Sequence, residues 1–284
     1  MAKRTLYGKT AVITGAASGI GRALALALAR EKCSSLLLAD INEAGLKQTL
    51  ELVNQAGGSG EVFLCDVSKL ADVMSMADHC FGKWGKVDLL VNNAGVASTG
   101  FMGDIPMNDW EWIVSINFWG VVYGCHAFVP RMKQQGSGYI VNVASAAGIL
   151  SSPEMAPYNA TKAAVVSLSE TLKGELAPFG IGVTVLCPTF VRTNLLDRMR
   201  FTDEFQRKCS TTGMANARWA PDRIAGLVVD AVKNEKLYLV PQLAAKMFWY
   251  SKRLSPSVFF GFFAFLMRMG WGRSIMFQLA RLGF

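Results

Sequence analysis

From residue 9 to about residue 240 the chain alternates short apolar runs with longer amphipathic stretches, and this alternation leaves few folds open. The runs at 9–14, 35–40, 61–66, 87–91, 139–143, 182–186 and 237–240 read as seven strands. Most are apolar throughout, as strands covered on both faces of a parallel sheet must be. Stretches 21–30, 43–55, 70–81, 110–133, 156–177 and 221–233 read as helices. Pro221-Asp222 fits a helix start, because the N–H that proline lacks has no partner in a first turn. Parallel strands joined through helices imply right-handed crossovers and a doubly wound α/β sheet. No Gly-, Ser- or Pro-rich linker and no repeat divides the chain. The expectation is a single domain over residues 1–241, followed by a helical C-terminal extension at 242–284.

The 284 residues suffice for one large core, and 51% apolar against 18% charged residues argues against disorder or a coiled coil. A net charge of +8 invites a nucleic-acid reading, but its distribution removes it. Residues 1–235 hold 22 basic and 21 acidic residues, whereas 236–284 hold seven basic residues and no Asp or Glu. That basic tail also carries 12 of the 30 aromatic residues. No nucleic-acid partner is therefore expected. The six cysteines lack CxxC spacing and only two histidines are present, so neither a metal site nor a disulfide framework is expected. The first strand starts within ten residues of Met1, which leaves no room for a signal peptide and suggests a cytoplasmic protein.

Thr14-Gly15-Ala16-Ala17-Ser18-Gly19-Ile20-Gly21 follows the first strand and opens the first helix. Glycines at Gly15, Gly19 and Gly21 let backbone approach a pyrophosphate, with the helix N-terminus, Ser18 and Ile20 beside it. The GxxxGxG spacing departs from GxGxxG, and a plain tight turn competes with the cofactor reading. Position between strand and helix favours a dinucleotide and a Rossmann-like sheet. Asp40, at the end of the second strand, suits the adenosine ribose hydroxyls and opposes a 2′-phosphate, with no cation at Ser18 or Ile41 to compensate. NAD is thus preferred to NADP. Asp40 could instead serve as a helix N-cap. Asp66 and Val67 end the third strand and suit the adenine edge. Asn92-Asn93-Ala94-Gly95 ends the fourth, where Asn93 and Gly95 can lie under the cofactor ribose and hold the sheet, although turn chemistry explains Asn and Gly singly.

Tyr158 and Lys162 are four residues apart, on one face of a predicted helix. Lowering a phenol from a pKa near 10 to near 7 takes about 4 kcal/mol, which two positive charges in a partly dry pocket can supply. Alone, YxxxK is a chance pattern. Ser145 lies thirteen residues upstream and can bond a carbonyl or hydroxyl oxygen. Asn117 falls inside the long predicted helix between Ile116 and Phe118, where an amide needs partners. It reads either as the anchor of a water linking Lys162 to solvent or as a helix-bend asparagine.

Taken together, the glycine motif, Asn92-Asn93-Ala94-Gly95, Asn117, Ser145, Tyr158 and Lys162 resemble the classical short-chain dehydrogenase/reductase family over about residues 7–240. The resemblance implies a catalytic tetrad. Tyr158 would be the acid/base, Ser145 the substrate orienter, Lys162 the partner of the nicotinamide ribose and modulator of Tyr158, and Asn117 the water-relay anchor. Tyr158 and Lys162 would thereby also contact the cofactor. Val191 and Thr193 match the positions that hold the carboxamide. Thr189 departs from the Pro-Gly usual after this strand, which puts the flap geometry in doubt.

Between the sixth strand and the helix at 221 lie about thirty residues, and 194–219 reads as a mobile flap over the substrate, with a purely structural excursion as the competing reading. In the tail, the longest apolar stretch, 258–267, is too short to span a bilayer. Leu243, Met247 and Leu254 fall at helical spacing opposite Lys246 and Arg253, and Trp271, Ile275, Leu279 and Leu282 repeat the pattern. Such helices suit peripheral attachment to anionic lipid through 242–284, or packing on the body or on a second subunit. The expected reaction is hydride exchange between NAD and a hydrophobic alcohol or its ketone or aldehyde, in a homodimer or homotetramer. Reduction of 3-oxoacyl thioesters and a non-enzymatic NAD-binding scaffold at membranes are the alternatives.

Overall fold

The structure is a computed structural model and describes residues 3–283. Seven strands form one sheet: β1 (Thr10–Thr14), β2 (Ser35–Asp40), β3 (Gly60–Leu64), β4 (Leu89–Asn92), β5 (Gly138–Val143), β6 (Ile181–Leu186) and β7 (Tyr238–Leu239). They pair in the order β3-β2-β1-β4-β5-β6-β7, every pair parallel. The doubly wound expectation holds. Several strand ends differ from the sequence reading by one or two residues. β3 stops at Leu64 because Asp66 turns back, accepting from the Ser68 N–H at 3.1 Å, and β7 has only two residues.

Helices alternate with the strands: α1 (Gly19–Arg30), α2 (Glu43–Gln55), α3 (Leu70–Trp84), α4 (Met107–Val114), α5 (Gly120–Gln135) and α6 (Ala156–Glu175). After β6 come α7 (Glu204–Ala215) and α8 (Pro221–Lys233), and after β7 come α9 (Leu243–Leu254), α10 (Pro256–Arg268) and α11 (Gly272–Arg281). The predicted helix at 110–133 is longer and not uniform, since a π-helical turn over Ser115–Trp119 joins α4 to α5. This run is the one helix among the described residues long and apolar enough to cross a membrane, yet Ile113, Val121, Phe128 and Met132 are buried in the protein.

Each sheet face is covered. Leu24 and Leu28 of α1, Leu46 and Val53 of α2, and Ile224, Val228 and Val232 of α8 pack with Ile13, Leu36 and Leu38 on one side. Val73, Met76 and Cys80 of α3, Phe128 and Met132 of α5, and Val165 and Leu172 of α6 pack with Val12, Leu37 and Leu90 on the other. Neighbouring residues of one strand thus enter opposite cores, which is why the strand sequences are apolar throughout. Of the six unpaired cysteines, five are buried and Cys209 is half-buried.

One polar tie crosses this apolar interior. Asn92 of β4 donates to Asn142 Oδ1 of β5 at 2.9 Å, Asn142 donates to Ser169 Oγ of α6 at 3.0 Å, and Ser169 donates to the Val165 carbonyl at 2.7 Å. The chain fixes β4, β5 and α6 to one another directly beneath the sheet edge that bears the site. Replacing Asn142 by Leu leaves the buried Asn92 amide only the weak Cys125 sulfur acceptor, so stability should fall by about 1–3 kcal/mol. Urea unfolding checks this: a lowered midpoint with unchanged slope is expected, and an unmoved midpoint would show the tie to be dispensable.

Candidate active site

All the long strands point their C-terminal ends at one edge, and β1 and β4, which lead to opposite sides of the sheet, leave a crevice between them there. A cleft of about 500 Å³ runs along this edge. Gly15, Ser18, Gly19, Ile20, Asp40, Asp66, Val67, Asn93 and Gly95 line one arm, Ser145, Tyr158 and Lys162 the centre, and Val191 and Thr193 the roof. Two of the sequence-predicted residues are not in its wall. Gly21 lies one turn behind, where a Cβ would come within 2.1 Å of the Gly15 carbonyl, so its role is close packing of helix on loop rather than cofactor contact. Asn117 is buried beneath the wall.

The glycine loop fits a dinucleotide on its own geometry. Gly15 has φ +66°, a left-handed conformation that a side chain would strain, and an added Cβ would sit 2.8 Å from Ala94 Cα. Ser18, the residue before α1, is extended and gives the helix no side-chain cap, so the first-turn amides stay available to an anion. Asp40 is held by the amides of Ala17 at 3.2 Å and Asn42 at 3.0 Å. The N-cap of α2 is Asn42, which accepts from the Gly45 N–H at 3.1 Å. Asp40 is thereby free of the capping role and faces the cleft as a carboxylate with no cation at Ser18 or Ile41. Asn93 turns its amide to the carbonyls of Thr14 and Gly15, at 2.9 and 3.1 Å, and ties β4 to the glycine loop.

Around the centre, α6 carries Tyr158 and Lys162 one turn apart, with the Lys162 Nζ 5.8 Å from the centroid of the Tyr158 ring. Lys162 is buried and donates to the Val143 carbonyl at the end of β5, at 2.9 Å. Burial pushes its ammonium down from 10.5 to about 8. The same burial pushes the Tyr158 phenol upward, against a hydrogen bond with Ser145 that pulls it down. Ser145 Oγ also accepts from the Ala147 N–H at 3.1 Å and donates to the Pro188 carbonyl at 3.3 Å. Asn117 sits in the π turn, where its side chain accepts from the Val96 N–H at 2.8 Å and donates to the Val96 carbonyl at 2.9 Å. The helix bulges at Asn117, as its helix-bend reading expects, and the amide clamps the irregular segment after β4, beside Gly95. Among the described residues no three His, Cys, Asp or Glu side chains converge as metal ligands.

The other arm is mainly apolar, with Glu154, Asn194, Asp197, Arg198 and Gln206 also in its wall. Leu150, Met155, Leu196, Met199, Phe205 and Met214 line it, with Met276, Leu279 and Ala280 of α11. Residues 194–219 do wall the cleft, but as built structure: a 3₁₀ turn over Asn194–Arg198, a two-residue strand at Arg200–Phe201 paired with Ser98–Thr99, and α7. Thr189 is accommodated without positive φ, and its N–H donates to Gln242 Oε1 at 3.1 Å.

A latch absent from the sequence reading closes this arm. Glu154, whose side chain is 1% exposed, receives Arg273 of α11 at 2.9 and 3.0 Å and Gln206 of α7 at 2.9 Å. Arg273 also reaches Asp203 at 2.5 Å. Three segments far apart in sequence meet at one buried carboxylate, and no local pattern in the chain signals it.

The short chain dehydrogenase family model matches residues 9–204. A crystal structure of a short-chain dehydrogenase/reductase from Burkholderia phymatum in complex with NAD superposes with a TM-score of 0.84 at 35% identity, covering 90% of this chain and 96% of that one. The probable oxidoreductase EphD of Mycobacterium tuberculosis is 36% identical over 82% of this chain, but the match spans 41% of EphD. The CLA biosynthesis dehydrogenase/reductase of Lactiplantibacillus plantarum is 33% identical over 82% of this chain and 87% of its own. The chain belongs to the short-chain dehydrogenase family.

Two outcomes follow from the geometry. Between about pH 8 and 10.5 the folded chain binds fewer protons at Lys162 than the unfolded chain, so its contribution to stability rises with pH. Lys162→Met should therefore be more stable than the parent at neutral pH, by up to about 3 kcal/mol less the lost hydrogen bond to Val143, and the gap should close in the alkaline range. Urea titrations at both pH values check the sign; a gap that widens with pH would refute it. Arg273→Leu should cost about 2–3 kcal/mol, because Glu154 loses the cation that pays for its burial. Thermal unfolding measures that loss, and an unchanged midpoint would mean the latch adds nothing.

Proposed function

We propose that the protein is an NAD-linked oxidoreductase that interconverts a lipophilic alcohol and its ketone or aldehyde. The observation that carries this reading is the meeting, at Tyr158, Ser145 and Lys162, of a polar arm ending at Asp40 and a long apolar arm. Asp40 supports NAD over NADP, since a 2′-phosphate beside a carboxylate with no compensating cation is repelled. When bound, the nicotinamide supplies the hydride acceptor or donor.

The chain's own residues do the rest. In the oxidising direction the Tyr158 phenolate takes the hydroxyl proton of the alcohol as the carbinol hydride leaves; in reduction the phenol returns the proton to the carbonyl oxygen. Ser145 holds the same oxygen. Lys162, one turn away, favours the phenolate through its charge, and the bond to Val143 fixes that charge in place. Burial raises the Tyr158 phenol, so the base form is favoured by positive charge brought beside it in the cleft. The apolar arm excludes water and sorts substrates by length of hydrocarbon.

Turnover of an alcohol panel of increasing chain length, with NAD and with NADP, tests the reading. We expect kcat/KM to rise with chain length and to favour NAD by at least about tenfold. Tyr158→Phe should keep NAD binding and lose turnover by at least about 100-fold. Preference for NADPH with acyl thioesters, or NAD binding without turnover on any alcohol or carbonyl, would overturn it.

A further inference from the structure

The C-terminal helices are apolar on two sides. One side docks: Ala245 is buried, Phe248, Trp249 and Phe259 pack on the core of the body, and Lys252 donates to the Ile149 carbonyl at 2.8 Å. The other is open. On α9, Leu243, Met247, Tyr250 and Leu254 are exposed, at steps of four, three and four residues that place them in one stripe, with Leu243 at 71% and Leu254 at 89%. On α10 the same steps expose Val258, Phe262 and Phe265, continued by Met269 just past its end, and only Leu266 is buried. Trp271 follows, also exposed. So large an uncovered apolar surface needs an occupant.

Charge says which. Of the seven basic residues after Glu235, Arg273 is spent on the latch and Lys252 on Ile149, while Lys246, Arg253, Arg268 and Arg281 are exposed, and no acidic residue follows Glu235. A second copy facing this surface through a two-fold axis would bring the same cations together, and its nearly neutral body offers no compensating negative field. An anionic lipid surface satisfies both terms, with aromatic and aliphatic side chains entering the interface and arginines at the headgroups. We infer that α9 and α10 form a docking surface for an anionic bilayer, with the protein lying on the membrane rather than crossing it. The same three-helix unit supplies Met276, Leu279 and Ala280 to the cleft wall, so docking would bring the apolar arm close to the bilayer. Docking itself does not depend on the proposed reaction.

The test is sedimentation of the full chain with vesicles of phosphatidylcholine alone or mixed with phosphatidylglycerol, at low and high salt. Binding is expected to the anionic vesicles only and to weaken with salt. The triple variant Met247→Glu, Leu254→Glu, Phe262→Glu should lose at least about tenfold in binding, with Tyr7→Glu, an exposed apolar site on the body, as the unaffected control. Should the triple variant misfold, Arg253→Glu with Arg268→Glu removes charge at two exposed positions and should show the same loss. No binding by the intact chain, equal binding by all variants, or a dimer that the triple variant splits while the parent ignores vesicles would overturn the inference.

Discussion

A single buried cation organises the centre of this molecule. Lys162 is placed where β5 ends, and its ammonium has the Val143 carbonyl as its one protein hydrogen-bond partner among the described residues. Room for it comes from Gly95, where a Cβ would stand 3.3 Å from Nζ, and the segment bearing Gly95 is held by Asn117 through both backbone groups of Val96. Asn117 can reach because the helix it sits on is locally π-wound. That bulge, a loss of regular helical hydrogen bonding, is kept at the place where the chain has to present an amide to the segment that follows β4. The polar tie through Asn92, Asn142 and Ser169 then sets the distance between β4, β5 and α6, and so the position of Tyr158 over the cleft.

Charge in the cleft is balanced locally rather than by the net field of the protein. Tyr158 is held above its ordinary value and Lys162 below, both mainly through desolvation, so burial works against the charged form of each. Such a pair responds strongly to a further charge placed beside it, because the low dielectric that costs each group its ionisation also amplifies what a neighbour contributes. Ser145 supplies the short-range part of that response, with its hydroxyl already oriented by the Ala147 amide.

Most of the sheet and the polar half of the cleft were legible in the sequence, for a physical reason: each depends on residues close together in the chain. Fully apolar strands, a glycine loop between strand and helix, a carboxylate at a strand end and a phenol four residues from an amine are local statements. The misses are the non-local ones. Gly21 reads as part of the phosphate loop, yet its lack of a side chain serves helix packing. The flap reads as a mobile loop because its Met, Phe, Arg and Thr content carries no clear period, but it is organised by Ser98–Thr99 and by Arg273, about a hundred residues before and seventy residues after it. At the Thr189 departure the backbone N–H is met by Gln242, which no spacing rule connects to it.

The tail shows why amphipathicity is an incomplete description of a helix that has two jobs. The heptad-like steps at Leu243, Met247 and Leu254 suggest a single greasy face, and a single face would ordinarily be the one that packs. Here the body takes the other side of α9, through Ala245, Phe248 and Trp249, and the periodic stripe is what remains outside. The reason lies in the aromatics: with Phe and Trp offset from the stripe there is enough apolar area to anchor the helix and still leave Leu and Met uncovered. Arg273 then decides where the unit sits, since a carboxylate as buried as Glu154 accepts its partner in one place only. A surface residue pattern and a cleft wall are thereby fixed relative to each other by one ion pair, so that what the outer face touches and what the inner face admits are set by the same three helices.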